Sequence, residues 1–445
     1  MKKIFYILII LFILYSTSTD YPQTQWQLLG LNNEDVTKIV IHPNESKTLF
    51  AGSRSDFSLG SVSALFKSTN SGITWDTLIS VITVRDIVIN PVNPDIIYIA
   101  AGANAGNNPG VIKTTDGGNT WFNADSGVIV DAETNVNTIS IDPDNPEILY
   151  CGTGGFIGGN LYKTINGGND WFIPSADSIF GNGVMVIEFD PYDFETLYVG
   201  RSWDGKLSRS NDGGTNWEYA GYTNGGSIRA LEFGTSSDEM YIASWWSFDY
   251  PVGIFKTTDK GITWNNLGEE FKEIANVRDV KVNFTIEEHI YIGLDTWYDQ
   301  SGVYVRKDNQ QWEYLGLNNM IINSLELTSN SIYAVTSEGL YISDLVTNIN
   351  EDNTYLYESS YLLFPAYPNP FNSATTIEYS IKQDGLVSLK VYDVLGAEVI
   401  SLVNANQVAG KYSVQFDASS LTSGNYIYRL ISGQFTSSKK LILLK

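Results

Sequence analysis

One segment is written seven times along this 445-residue chain. "VTKIVIHPNESKTLFAGS" begins at Val36, "VRDIVINPVNPDIIYIAAG" at Val84 and "VNTISIDPDNPEILYCGTG" at Val136. "VMVIEFDPYDFETLYVGRS" follows from Val184, "IRALEFGTSSDEMYIASW" from Ile228 and "VRDVKVNFTIEEHIYIGL" from Val277. A shortened "INSLELTSNSIYAVTS" starts at Ile322, and successive starts lie 44 to 52 residues apart. The fourth and sixth positions of each copy are apolar, as in Ile87 with Ile89 or Leu231 with Phe233. Such alternation reads as a strand, followed by a Pro/Asn/Asp turn and a second, Tyr-rich strand that ends in small residues. A unit of this size cannot bury its apolar face alone, so the copies must stack on one another.

A second signal follows most copies: "STNSGITW" (68–75), "TTDGGNTW" (114–121), "TINGGNDW" (164–171), "SNDGGTNW" (210–217) and "TTDKGITW" (257–264). Its logic is local. The Asp or Asn accepts N–H groups across a turn, Gly supplies positive φ, and Trp is a large buried wedge. Each unit then holds four strands in about 40–50 residues, the size of a propeller blade. The eight-residue text resembles the Asp-box, or BNR, repeat of sialidases, xyloglucanases and sortilin-type receptors. The resemblance implies that Asp116, Asp212 and Asp259 are turn residues, on the hairpin between the third and fourth strands and away from the functional face.

The sixth unit keeps only "RKDNQQW", and the seventh stops after "GLYISDLV" without a fourth strand or a Trp. The missing piece is at the front of the chain. "TQWQLLGLNN" (24–33) matches "QQWEYLGLNN" (310–319), so Trp26 answers Trp312 and the N-terminal segment supplies the outer strand of the last unit. Seven Trp (26, 75, 121, 171, 217, 264, 312) then balance seven first strands. The expected fold is all-β: a seven-bladed propeller over residues 22–347, closed by its N-terminal strand. A linker at 348–364 and a small Ig-like β-sandwich at 365–445 follow.

That last module carries "YPNPFN" (367–372), "VYDVLG" (391–396), "LTSGNYIYRL" (421–430) and a basic-apolar terminus from Lys439. Together these resemble the C-terminal sorting domain of the type IX secretion system of Bacteroidetes-type bacteria. The resemblance implies passage across the outer membrane, removal of the tail, and release or attachment at the cell surface, with the secretion machinery as partner. The other end agrees. In "MKKIFYILIILFILYSTSTD", Lys2 and Lys3 precede an apolar run from Ile4 to Leu14 and then small polar residues, the pattern of an export signal over residues 1–18. Eleven apolar residues fall short of the ~20 that a spanning helix needs.

The net charge is −23, and between the leader and Pro365 the 18 basic and 45 acidic residues leave −27. A surface this acidic repels nucleic acid and anionic lipid, so neither is an expected partner. A single cysteine, Cys151, excludes an internal disulfide, and two isolated histidines, His42 and His289, form no metal cluster; no metal or cofactor is expected.

Four Trp lie outside the repeat set: Trp203, Trp245, Trp246 and Trp297. All follow a second strand, in loops of one propeller face, beside Asp204, Asp249, Asp295 and Asp299. Aromatic rings next to carboxylates suit sugar recognition, since a ring stacks on a pyranose and carboxylates hold its hydroxyls. A second set sits at position two of the first strands: Arg85, Arg229 and Arg278, with Asp86 and Asp279 at position three. These either bind a ligand or tie blades together as Arg–Asp pairs. Three Arg at a propeller mouth resemble the carboxylate-binding arginines of sialidases, but the Arg-Ile-Pro motif of that family is absent. A glycosidase needs two carboxylates about 5–10 Å apart, and Asp86, Asp204, Asp295, Glu188, Glu232 and Glu326 are eligible. Xyloglucanases carry two seven-bladed propellers with the substrate cleft between them, and the repeats here supply one. The leading expectation is an exported propeller that binds or scaffolds a glycan or surface protein. The competing one is a glycoside hydrolase or lyase that uses carboxylates on the Trp-rich face.

Overall fold

The computed structural model describes residues 26–54, 63–102, 110–130, 134–155, 158–174, 183–202, 204–222, 226–245, 253–271, 276–284, 288–295, 301–307, 310–328, 330–345, 362–363, 366, 369, 371–381, 383–394, 396–408, 410–433 and 435–445. The leader at 1–18, most of the linker, and the candidates Trp203, Trp246, Asp249, Trp297 and Asp299 lie outside the described residues.

Among the described residues the strands form nine antiparallel sheets, and seven of them are built from the repeats. The first takes its strands in chain order from inside to outside: Asp35–Ile41, Leu49–Arg54, Ala64–Ser68 and Asp76–Ser80. The other inner strands are Thr83–Ile89, Thr134–Ile141, Val184–Asp190, Ser227–Phe233, Asn276–Asn283 and Ile322–Leu327. Each inner strand touches the next, and Ile322–Leu327 touches Asp35–Ile41, so together they surround a central channel. This is a β-propeller.

The N-terminal strand Gln27–Gly30 pairs with Gly339–Asp344, with Gln27 opposite Ile342 and Leu28 opposite Tyr341. Trp26 packs against the core cluster that includes Leu315 and Leu325 and donates its indole N–H to the Leu315 carbonyl at 2.9 Å. The two ends of the repeat array therefore share one sheet. The third unit departs from the four-strand pattern: its outer strand is reduced to a single bridge between Lys163 and Phe172. Pro174 follows two residues later, and a proline without an N–H ends a ladder.

Strict alternation does not survive in the inner strands. In all seven the register slips by one residue just after the start; Val36 faces Ser53, for example, but Lys38 faces Gly52. One residue is thereby left over, and the bulge turns the chain so that positions one and four share the buried face. Val36 with Ile39, Val84 with Ile87 and their five counterparts are at most 4% exposed. Each such side chain contributes about 1.5–3 kcal/mol of burial. The small residues that end the second strands make room for the next sheet: a Cβ at Gly52 would stand 2.2 Å from Val84, and one at Gly152 would stand 2.3 Å from Val184.

The five Ser/Thr-x-Asp/Asn turns repeat one geometry. Asp116 accepts the Thr114 hydroxyl at 2.7 Å and the Thr120 N–H at 2.8 Å, and Thr114 accepts the Gly118 N–H at 3.1 Å. Asp212, Asp259, Asn70 and Asn166 do the same. Hydrogen bonds from Thr120 hold the Asp116 carboxyl down at about 2. These turns also bond to the first hairpins, as Gly117 N–H does to the Asp95 carbonyl at 2.9 Å, which puts them at the opposite end of the strands from the bulges. Tyr98, under the Lys113 ammonium, donates to the Gly167 carbonyl at 3.0 Å and so joins neighbouring units.

The C-terminal module has two sheets around one core. Leu362–Leu363, Ala374–Ile381 and Gly410–Asp417 form one; Glu398–Gln407, Gly385–Asp393, Gly424–Ser432 and Phe435–Leu443 form the other. Phe371, Tyr379, Leu389, Phe416 and Tyr428 lie in the core between them. The "PNPF" text clamps the last strand: Asn369 accepts the Ile442 N–H at 2.8 Å and donates to the Lys440 carbonyl at 3.0 Å.

Candidate functional site

The seven bulges place Thr37, Arg85, Asn137, Met185, Arg229, Arg278 and Asn323 at one mouth of the channel, where they line a cavity of about 190 Å³. A bulge re-aims a side chain that would otherwise follow the pleat. One backbone device, repeated, therefore selects these residues.

Several of them stitch one inner strand to the next. Thr37 donates to the Val84 carbonyl at 2.7 Å, Asn137 to the Val184 carbonyl at 3.1 Å, and Asn323 to the Val36 carbonyl at 2.6 Å. The position-three carboxylates do likewise. Asp86 accepts the Ile139 N–H at 3.1 Å and the Thr138 hydroxyl at 3.1 Å; Asp279 accepts the Leu325 N–H at 2.7 Å. These two aspartates are committed to structure, with their own strand N–H groups as further donors.

The arginines divide into two kinds. Arg278 is held by the buried Asp295 carboxylate through Nε at 2.9 Å and Nη2 at 2.6 Å, and it reaches Asn323 at 3.2 Å. Arg54 is held by Asp35 at 2.5 Å. Arg85 and Arg229 form no ion pair with a described carboxylate. Among the described residues Arg85 hydrogen-bonds to the Asn137 side-chain oxygen alone, at 3.4 Å, and the buried Nε of Arg229 has no hydrogen-bond partner. Desolvation, reinforced by Arg278, Arg85 and Arg54, pushes Arg229 down to about 9; a guanidinium still keeps its proton at neutral pH. Desolvation and Arg54 push Arg85 down to about 10. Among the described residues, the mouth thus carries more positive than negative charge in a strongly acidic protein.

Deeper along the same strands the sign reverses. Position five carries Glu188, Glu232, Lys281 and Glu326. Lys281 pairs with Glu232 at 3.0 Å, and Lys38 pairs with Asp86 at 3.2 Å. Burial would lower Lys281, but Glu232, Glu326, Asp279 and Glu188 outweigh it and hold its pKa well above the usual lysine value. Glu188 stays exposed to the channel, yet the surrounding wall raises it to about 7, opposed by Lys281 and Lys38.

The other candidates fall around this mouth. Trp245 ends its second strand half-buried, with the Arg229 Cζ 4.3 Å and the Arg278 Cζ 5.7 Å from its ring centroid. One ring face expected to be open to a sugar is therefore covered by arginine. Asp204 is bound by Arg201 in a close ion pair, three residues away. Asp295 is bound by Arg278 as above. Arg54, Trp245 and Asp295 stand in the same register, each opposite the residue just before its bulge-bearing stretch. Sequence reasoning passed over Arg54, Lys38, Lys281 and the bulge residues Thr37, Asn137, Met185 and Asn323. Aligning all seven copies at positions two, three and five would have exposed all of these except Arg54.

Fold and site together define a β-propeller with a charged central channel, followed by a two-sheet module. Residues 365–444 match the family described as the secretion system C-terminal sorting domain, so the chain carries that domain. The chain is 27% identical over 197 residues to a probable oligoxyloglucan-reducing end-specific xyloglucanase of Neosartorya fischeri, a match covering 41% of this chain and 23% of the relative. It thus spans under a quarter of that protein. Among solved structures, the GH74 xyloglucanase of Xanthomonas campestris superposes with a TM-score of 0.56 at 14% identity, over 80% of this chain and 59% of that one. The GH74 enzyme of Niastella koreensis gives 0.54 at 18% identity, over 94% and 74%. At these identities the likeness establishes the propeller fold.

Proposed function

We propose that this protein is an exported or cell-surface propeller that binds a glycan or surface-protein ligand at the arginine-lined mouth of its channel and is delivered by its type IX sorting domain. In this reading residues 1–18 direct export to the periplasm, and the propeller is a seven-bladed ring. The sheets joined inner strand to inner strand, with Asn323 bonded back to Val36, support the ring.

The observation that carries the binding reading is the pair Arg85 and Arg229, which face the cavity without a described carboxylate partner. A buried donor left unmade costs about 1–3 kcal/mol, and a ligand that accepts from it recovers that cost. The second reading, a glycoside hydrolase or lyase, draws on the xyloglucanase likeness. Against it stand its aspartate candidates: Asp204 and Asp295 are each engaged by an arginine and Asp86 by a strand N–H group, and Glu232 is paired with Lys281. A carboxylate so held is a poor nucleophile or proton donor. That leaves Glu188 and Glu326 as its carboxylates without an ion-pair partner among the described residues.

The test is a binding profile of the mature protein against polysaccharides and outer-surface proteins, repeated with Arg85→Gln/Arg229→Gln. Retention lost in the double variant supports the mouth as the site; an unchanged profile removes it.

A further inference from the structure

The channel is bipolar along its axis. Among the described residues at the mouth, Arg54, Arg85, Arg229 and Arg278 outnumber Asp35 and Asp295, an excess of two positive charges (four against two). Further in, among the described residues, the five carboxyl groups of Asp86, Asp279, Glu188, Glu232 and Glu326 outnumber the two ammonium groups of Lys38 and Lys281. The unpaired members are Arg85 and Arg229 at one level and Glu188 and Glu326 at the other, since none of these four has an ion-pair partner among the described residues. Positions two and five are three residues apart on one strand, about 10 Å at roughly 3.3 Å per residue.

Three further observations narrow the occupant. The cavity, about 190 Å³, is smaller than the ~300–1,000 Å³ of a site for a whole small ligand, so it takes the end of a larger one. Inner strands close around the channel on all sides, which favours a chain end over a passing segment. Met185 and Ala230, both part-exposed, give one side of the cavity an apolar patch, suited to an alkyl stem. The one described aromatic ring at this mouth, Trp245, already has Arg229 over it and leaves no open platform on that face for a sugar.

We propose that the channel binds the carboxy-terminal residue of a polypeptide when that residue is lysine or arginine. The terminal carboxylate meets Arg85 and Arg229, the alkyl stem lies along Met185 and Ala230, and the side-chain cation reaches Glu188 and Glu326. Guanidinium forks match the two oxygens of a carboxylate. The opposing charges within the channel also discriminate: a neutral end leaves both belts unpaired, and an amidated end leaves the arginines so. This rests on the mouth being the binding site.

The experiment is a titration of the full chain with three fluorescent hexapeptides at low salt. One ends in lysine with a free carboxylate, one is its carboxy-terminal amide, and one has norleucine in place of the lysine. The free lysine acid should bind at least about tenfold more tightly than either analogue. Arg229→Gln should abolish the difference between acid and amide, and Glu188→Gln should reduce the difference between lysine and norleucine. Equal binding of all three peptides, or binding of none, overturns the proposal with the native protein alone, whatever the variants do. If the peptides fail while the polysaccharide or surface-protein profile still depends on Arg85 and Arg229, the mouth stands as the site and only the peptide assignment falls.

Discussion

The Arg229 guanidinium lies over the Trp245 ring, with Cζ 4.3 Å from the ring centroid, and the Arg278 guanidinium stands 5.7 Å from the same ring. Two like charges on neighbouring inner strands are thus held around one indole. Such contacts are worth about 0.5–2 kcal/mol each, enough to fix a guanidinium that has no carboxylate to hold it among the described residues.

Trp245→Ala should therefore weaken mouth binding about as much as Arg229→Gln, roughly tenfold, with Trp245→Phe between the two. Affinity for whichever ligand the profile identifies is the measurement. Full affinity in the alanine variant would show that Arg229 needs no platform.

Trp26 helps close the ring by packing against the cluster that includes Leu315 and Leu325. Removing a large core side chain costs about 3–5 kcal/mol; Trp26 is half-buried, so Trp26→Ala should cost about 2–3 kcal/mol in urea unfolding. A change of a few tenths would mean that the N-terminal strand contributes little to closure.

Asp279 spans two sheets by accepting the Val280 and Leu325 N–H groups. Asp279→Ala leaves both donors unmet and should destabilise the propeller by about 1–3 kcal/mol, measured as a fall in the urea midpoint without a change in slope.

Two groups of carboxylates pull stability in opposite directions with pH. Desolvation by the surrounding channel wall raises Glu188 to about 7 from 4.5, opposed by Lys281 and Lys38 and joined by Glu232 and Asp86. A folded-state pKa above the unfolded one means that this contribution is present below 4.5 and is lost as pH rises toward 7. Asp116 and Asp259 are held down at about 2 by Thr120 and Thr263, so theirs is present above 3.8 and is lost as pH falls toward 2. Thermal unfolding across pH should show Glu188→Gln flattening the upper window only, and Asp116→Ala the lower only.

Much of the fold was legible because the repeat text is also the packing text. The match of "TQWQLLGLNN" to "QQWEYLGLNN" anticipated the pairing of Gln27–Gly30 with Gly339–Asp344, since the same outer-strand pattern must meet the same third strand. The box turns were legible because their hydrogen bonds span only two to four residues. The bulge was not. An extra residue at position two leaves no mark in a period-two reading, yet it decides which side chains reach the mouth. The partners of the candidates were hidden for a related reason. Arg229 meets Trp245 and Arg278 meets Asp295 across paired strands, 16 and 17 residues apart in sequence, and only the register brings them together. Read singly, Asp295 and Asp204 look like free carboxylates; each is held by an arginine.

The central claim is that this propeller binds without turning its ligand over. Incubating the mature protein with xyloglucan and other surface polysaccharides, and assaying released reducing ends, tests it most directly. The account expects no release above the protein-free control. Release that disappears on Asp204→Asn or Asp295→Asn would contradict it.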